Sequence, residues 1–211
     1  MGKTHALRDE VKDHLLLQIQ TGQLIVGKTI NLAALSRDMG ISVTPIREAL
    51  SQLEQAQVLQ AVPNRGFIVA RLSQHEVKNL IEIVAQLEVM ALENSVFHPD
   101  QIESLAILQK KMEEAKSLEK GLVHRFNFHN TLVQHCTNKI LLQILKDLKL
   151  RLHFYEHDFI QDHDFFENIK VQARSVLETI QENNLPTAAL ILRMHWMSVL
   201  DHIETQISKN G

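Results

Sequence analysis

The stretch from Asn31 to Val69, NLAALSRDMGISVTPIREALSQLEQAQVLQAVPNRGFIV, constrains this chain more than any other. Leu32, Leu35 and Met39 recur at three- and four-residue spacing behind Asn31, whose side chain suits a helix N-cap. Gly40 supplies the left-handed residue that ends such a helix, and Ser42 can cap a second one with its hydroxyl. Pro45 falls in the first turn, where a missing N–H costs little. Ile46, Leu50 and Leu53 then form the face that packs on the first helix, leaving Ser42, Thr44 and Arg47 toward an exposed N-terminal end. VLQAV and FIVA read as short strands around Pro63-Asn64-Arg65-Gly66, a hairpin signal.

Two short helices with a ribbon behind them fit a duplex. A helix entering the major groove presents its N-terminal residues to base edges and phosphates, and its positive dipole end suits a polyanion. We therefore expect Ser42, Thr44 and Arg47 in the groove, with Asn64, Arg65 and Gly66 forming a wing against the backbone or minor groove. TPIREAL and the continuation LEQAQVLQAVPNRGFIV resemble the winged helix of the GntR superfamily of bacterial transcription regulators, over about residues 5–72. Relatives often carry a basic residue between the Ser and Thr positions. Here it is Val43, which offers a thymine methyl only apolar contact.

Charge divides the chain at the same point. Residues 1–72 hold eight Lys/Arg against six Asp/Glu, whereas residues 73–211 hold fourteen against nineteen. A modest basic excess implies a focused contact surface rather than a polybasic arm. We expect a DNA-binding domain over 1–72 and an effector-binding, dimerising domain over 73–211. The second part has only Gly121 and Gly211 as glycines and Pro99 and Pro186 as prolines, too little punctuation for strands, so an all-helical domain is expected. The fold class is mainly α. Cys136 is the single cysteine, which excludes an intramolecular disulfide and suits a cytoplasmic location. No apolar run reaches membrane-span length, and the charged start lacks the apolar core of a signal peptide.

Spacing predicts a helix over Ala6–Gln20 with Leu7, Val11, Leu15 and Ile19 inward, and a loop over GQLIVGKTIN. Ser73 and Glu76 form a capping box that opens a helix running to about Phe97. A helix from Pro99 to Lys120 is ended by Gly121, and others cover Leu122–His135, Ile140–Phe159, Phe166–Gln181 and Leu185–Ile207, with Thr137-Asn138 and Asn183-Asn184 as caps. Six helices suggest a bundle.

Leu87-Glu88, Phe128-His129, Asn138 and the VLETI…LRMH run from Val176 to His195 make this part similar to the FadR-like branch, with its shorter six-helix, FCD-type effector domain. Many members hold a divalent metal through an Asp four residues before the Phe-His histidine and two further histidines. The resemblance implies His129 and His195 as members of that set, but Arg125 stands in place of the Asp and Ala173 in place of the other histidine. An arginine cannot ligate a metal and repels one.

We expect no metal cofactor. Leu122, Arg125, His129, Leu132 and Cys136 share an inward stripe, so the Arg125 guanidinium should face the bundle core, where a cation needs an anionic partner. A small carboxylate effector meeting Arg125, His129 and His195 would supply it, as would an internal acid such as Glu88. Tyr155, Asn127 and His202 are weaker pocket candidates.

The expected function is a ligand-responsive transcription regulator, not an enzyme, that binds double-stranded DNA at a palindromic operator as a homodimer, because one helix reads only a few base pairs. Met90 or Leu92 are candidates for the interface. The competing reading, a metal-dependent hydrolase with a histidine-rich bundle, has no HExxH, nucleophile elbow or phosphate loop behind it.

Overall fold

The computed structural model describes the backbone of every residue except 1, 21, 22, 64, 161 and 211; of side chains it further omits 2–6, 9, 16, 19, 20, 74, 154–159 and 207–210. The chain divides into two compact units, Met1–Leu72 and Ser73–Gly211.

The first unit runs α1 (Gly2–Gln20), β1 (Thr29–Ile30), α2 (Leu32–Met39), α3 (Val43–Gln55), β2 (Leu59–Val62) and β3 (Gly66–Val69). Asn31 accepts a hydrogen bond from the Ala34 N–H at 3.0 Å, and Gly40 closes α2 at φ 65°. The tight turn is fixed by the Ser36 hydroxyl, which donates to the Ile41 carbonyl at 2.6 Å. Val11, Leu15, Leu35, Ile46, Leu50, Leu53 and Phe67 form the core, so the amphipathic stripes of the three helices meet one face of the ribbon. Leu7 is half-buried, and Ile19 lies outside the described side chains. The ribbon has three strands where the sequence suggests two. Thr29–Ile30, expected in a loop, pairs antiparallel with β3 to give the order β1-β3-β2, because Ile30 fills the core and the edge of β3 has backbone groups to satisfy.

The second unit is helical: α4 (Gln74–Glu93), α5 (Pro99–Glu113), α6 (Leu118–Val133), α7 (Lys139–Phe159), α8 (His163–Gln181) and α9 (Leu185–Asn210). The capping box is present, with Ser73 and Glu76 each satisfying the other's backbone N–H. Asn138 and Asn184 cap α7 and α9. The α4 helix stops before Phe97, since Asn94 and Ser95 donate back to the carbonyls of Met90 and Ala91. Helix α9 packs between α4 and α8, α5 between α6 and α8, and α7 against α4 and α6. Among the described residues no helix is long and apolar enough to cross a membrane.

Gly121 does not end a helix. Ser117 caps α6 ahead of it, and Gly121 lies buried inside that helix, where an added Cβ would stand 2.5 Å from the Phe166 ring. The residue is there for a close approach of α6 and α8. Gly121→Ala should therefore cost about 1–3 kcal/mol by overpacking, measured by urea unfolding, and Phe166→Leu in the same chain should return part of it.

Candidate nucleic-acid interface and bundle-core site

At the start of α3, Ser42, Thr44 and Arg47 are exposed while Pro45, Ile46, Ala49, Leu50 and Leu53 turn inward. Ser42 occupies the N-cap position but makes no side-chain cap hydrogen bond, contrary to the capping expected from its hydroxyl. The first turn of α3 thus offers N–H groups and a hydroxyl to solvent. Val43 beside it is 40% exposed. At the ribbon tip Arg65 and Gly66 are exposed, Gly66 at φ 83°, and Asn64 lies outside the described residues. Arg47 and Arg65 take part in no ion pair among the described residues, so both charges are presented to solvent.

The bundle core is built around a carboxylate. Glu88 on α4 is fully buried and accepts three hydrogen bonds, from His129 Nδ1 (2.8 Å), Lys149 Nζ (2.8 Å) and Trp196 Nε1 (2.7 Å). Burial alone would push this carboxyl up. At acid pH the attraction of protonated His129 and of Lys149, with the hydrogen bonds both donate, outweighs that and holds the carboxyl well below the usual carboxylate range. Burial pushes His129 down despite the pull of Glu88. It is therefore a neutral donor near pH 7, and Lys149 is the standing counter-charge.

Arg125, on the same face of α6 one turn before His129, is 2% exposed. Its Nη2 donates to His195 Nε2 at 3.0 Å, and its guanidinium lies over the Trp196 ring, 5.1 Å from the centroid. His195 Nε2 accepts, so Nδ1 carries the proton and donates to Gln172 Oε1 at 2.8 Å. Both histidines thus have Nδ1–H held by an outer acceptor and Nε2 turned inward, the arrangement that metal-ligating histidines adopt. At His195 the inward nitrogen faces a guanidinium, and a divalent cation does not fit beside that charge. Ala173 is buried and offers no ligand. Among the described residues no cluster of three or more His, Cys, Asp or Glu side chains could hold a metal.

Arg125, His129 and Lys149 line one small cavity with Phe126, Leu152 and Trp196. Its free space, about 10 Å³, is that of roughly one water molecule.

Lys149, Gln172 and Trp196 were not read from the sequence. Lys149 had a signal: it continues the Leu141, Leu145, Leu152 stripe, and a lysine on a buried stripe must meet an anion. Of the weaker candidates, Asn127 is exposed, His202 stacks on Phe165 with ring centroids 3.8 Å apart, and the Tyr155 side chain lies outside the described residues. Leu92 is fully buried and cannot form an interface, whereas Met90 is 47% exposed.

A winged helix-turn-helix followed by a helical bundle is the architecture of a DNA-binding transcription regulator. The chain belongs to the gntR family of bacterial regulatory proteins: residues 7–69 match that family's model and residues 76–198 match the FCD domain. It is similar to the HTH-type transcriptional regulator YdhC of Bacillus subtilis (29% identity, covering 91% of this chain and 88% of the relative) and to the HTH-type transcriptional regulator McbR of Escherichia coli (28%, covering 68% and 67%). Among solved structures, E. coli McbR/YncC has the same fold at a TM-score of 0.80 and 22% identity, covering 95% of this chain and 98% of the other. A GntR regulator from Rhodococcus sp. RHA1 matches at 0.81 and 13%, covering 94% and 97%. These are regulators, and the hydrolase reading is set aside: the chain is a transcription regulator, not an enzyme.

The Glu88 cluster makes a stability prediction. A carboxyl held low by folding contributes stability that is complete above the unfolded value near about 4.3 and lost as pH falls toward the folded value. His129, held neutral, adds a loss that begins below about pH 6.5 as the unfolded chain takes up a proton. Stability should therefore fall on acidification in two stages. Glu88→Gln at pH 7 leaves Lys149 buried without its charge partner and should cost about 3–5 kcal/mol, most of it regained with Lys149→Met, as read by urea unfolding.

Proposed function

We propose that this chain is a ligand-responsive regulator that binds a palindromic operator as a homodimer in the cytoplasm and responds to a small carboxylate held by Arg125. In this reading Ser42, Thr44 and Arg47 enter the major groove, and the wing tip, Asn64 through Gly66, meets the backbone or minor groove. Two heads about one helical turn apart give the site length that one α3 cannot.

The observation that carries the effector reading is a buried guanidinium on a cavity wall, fixed by His195 and Trp196. Arg125 then does with a fixed charge what a divalent metal does in relatives, and His129 and His195 orient the bound acid. The cavity now has room for one water, so a carboxylate must displace side chains to enter. That differential between closed and open forms lets a ligand shift the population and hence DNA binding.

A thermal-shift screen of small carboxylates against wild type and Arg125→Ala tests this. An acid at about 100 times its Kd should stabilise wild type by about 2.7 kcal/mol and leave the variant unmoved; stabilisation of both rules Arg125 out. Stoichiometric zinc or nickel in the purified protein would overturn the metal-free reading. Arg47→Ala should weaken binding to every duplex tested and lower the salt slope by about 1, and unchanged mobility-shift titrations would remove Arg47 from the interface.

A further inference from the structure

Helix α9 carries two apolar stripes, and its own bundle covers only one. Ala188, Leu192, Trp196, Val199 and Ile203 are buried against α4 and α8. On the other side Leu190, Met194 and Met197 recur at four and three residues and are 57%, 59% and 39% exposed. A helix that is apolar on both faces is built to be covered on both.

Helix α4 borders this stripe on one side: Lys78 Nζ lies 3.4 Å from Glu204, and Trp196 donates to Glu88, so α4 runs antiparallel beside α9.

Charge on this face identifies what covers it. Arg193 and Asp201 are exposed, stand four residues before and four after Met197, and form no ion pair among the described residues. If two α9 helices pack antiparallel about a two-fold axis near Met197, each Arg193 comes level with the other copy's Asp201, within reach of an arginine side chain. Met194 and Leu190 then lie between the copies. A two-fold interface requires a patch that complements itself, and opposite charges placed evenly about an apolar centre meet that requirement.

We propose that the outward face of α9, centred on Met197 and lined by Leu190 and Met194, is where a second copy of this chain docks. The proposal rests on the homodimer reading above and adds the face and register that reading lacks.

Sedimentation of the full-length chain tests it, with far-UV circular dichroism to confirm folding, since every altered position is exposed. Wild type should be a dimer. Met194→Glu should weaken it by at least about tenfold, because two carboxylates would be brought into an apolar contact. Arg193→Asp and Asp201→Arg should each weaken it, and the two together should restore it, the signature of a direct pair. Met197→Cys should cross-link across the axis under mild oxidation, whereas buried Cys136 should not.

A dimer indifferent to Met194→Glu and to both single reversals overturns the face and leaves the dimer reading standing. A dimer that the double reversal fails to restore overturns the antiparallel register. A wild-type monomer, with and without operator duplex, overturns both.

Discussion

The Glu88 carboxylate joins four helices of the second unit at one point. It belongs to α4, and its three donors come from α6, α7 and α9. A fully buried anion is tolerable only when its lone pairs are satisfied and its charge is met. The positions of His129, Lys149 and Trp196 are therefore coupled: moving any one of those helices exposes the carboxylate to a cost of several kcal/mol. Such a cluster contributes less to net stability than an apolar core of the same volume would. Its directional contacts tie α4 to α6, α7 and α9 at defined points.

The Arg125, His195, Gln172 chain extends this network to α8. Each link has a defined proton: the guanidinium donates to His195 Nε2, and His195 Nδ1 donates to Gln172. The positive group sits on α6 one turn from His129, so the cavity has a cation fixed covalently to the fold on its wall. A bound metal depends on pH and availability, whereas an arginine is always charged. The cost is that the charge cannot leave, which makes the His195 acceptor and the Trp196 face obligatory.

In the first unit the constraint is the opposite one, to keep polar groups out. The α2–α3 turn is locked by Asn31, Gly40 and Ser36 using local hydrogen bonds. That leaves the opening turn of α3 with its N–H groups and the Ser42 hydroxyl toward solvent. The sheet behind it buries Ile30, Phe67 and Val69 while the tip residues Arg65 and Gly66 remain outside. Rigid local geometry with an uncommitted polar end is what contact with a polyanion demands.

Periodicity and punctuation in the sequence were enough for the winged helix and the helical bundle, because caps, Gly40 and the three- and four-residue apolar spacings act locally. They were also enough to turn Arg125 and His129 inward, since both follow from one helix stripe. Three kinds of fact were decided only in three dimensions. The third strand exists because β3 had an edge to satisfy, which Thr29–Ile30 does not announce. Gly121 looks like a stop signal, yet it serves the approach of Phe166 from a helix some forty-five residues later in the sequence. The partners of Glu88 lie 41, 61 and 108 residues away. Local patterns state which face a side chain takes, but not which distant donor meets it there; that follows only from how the helices pack.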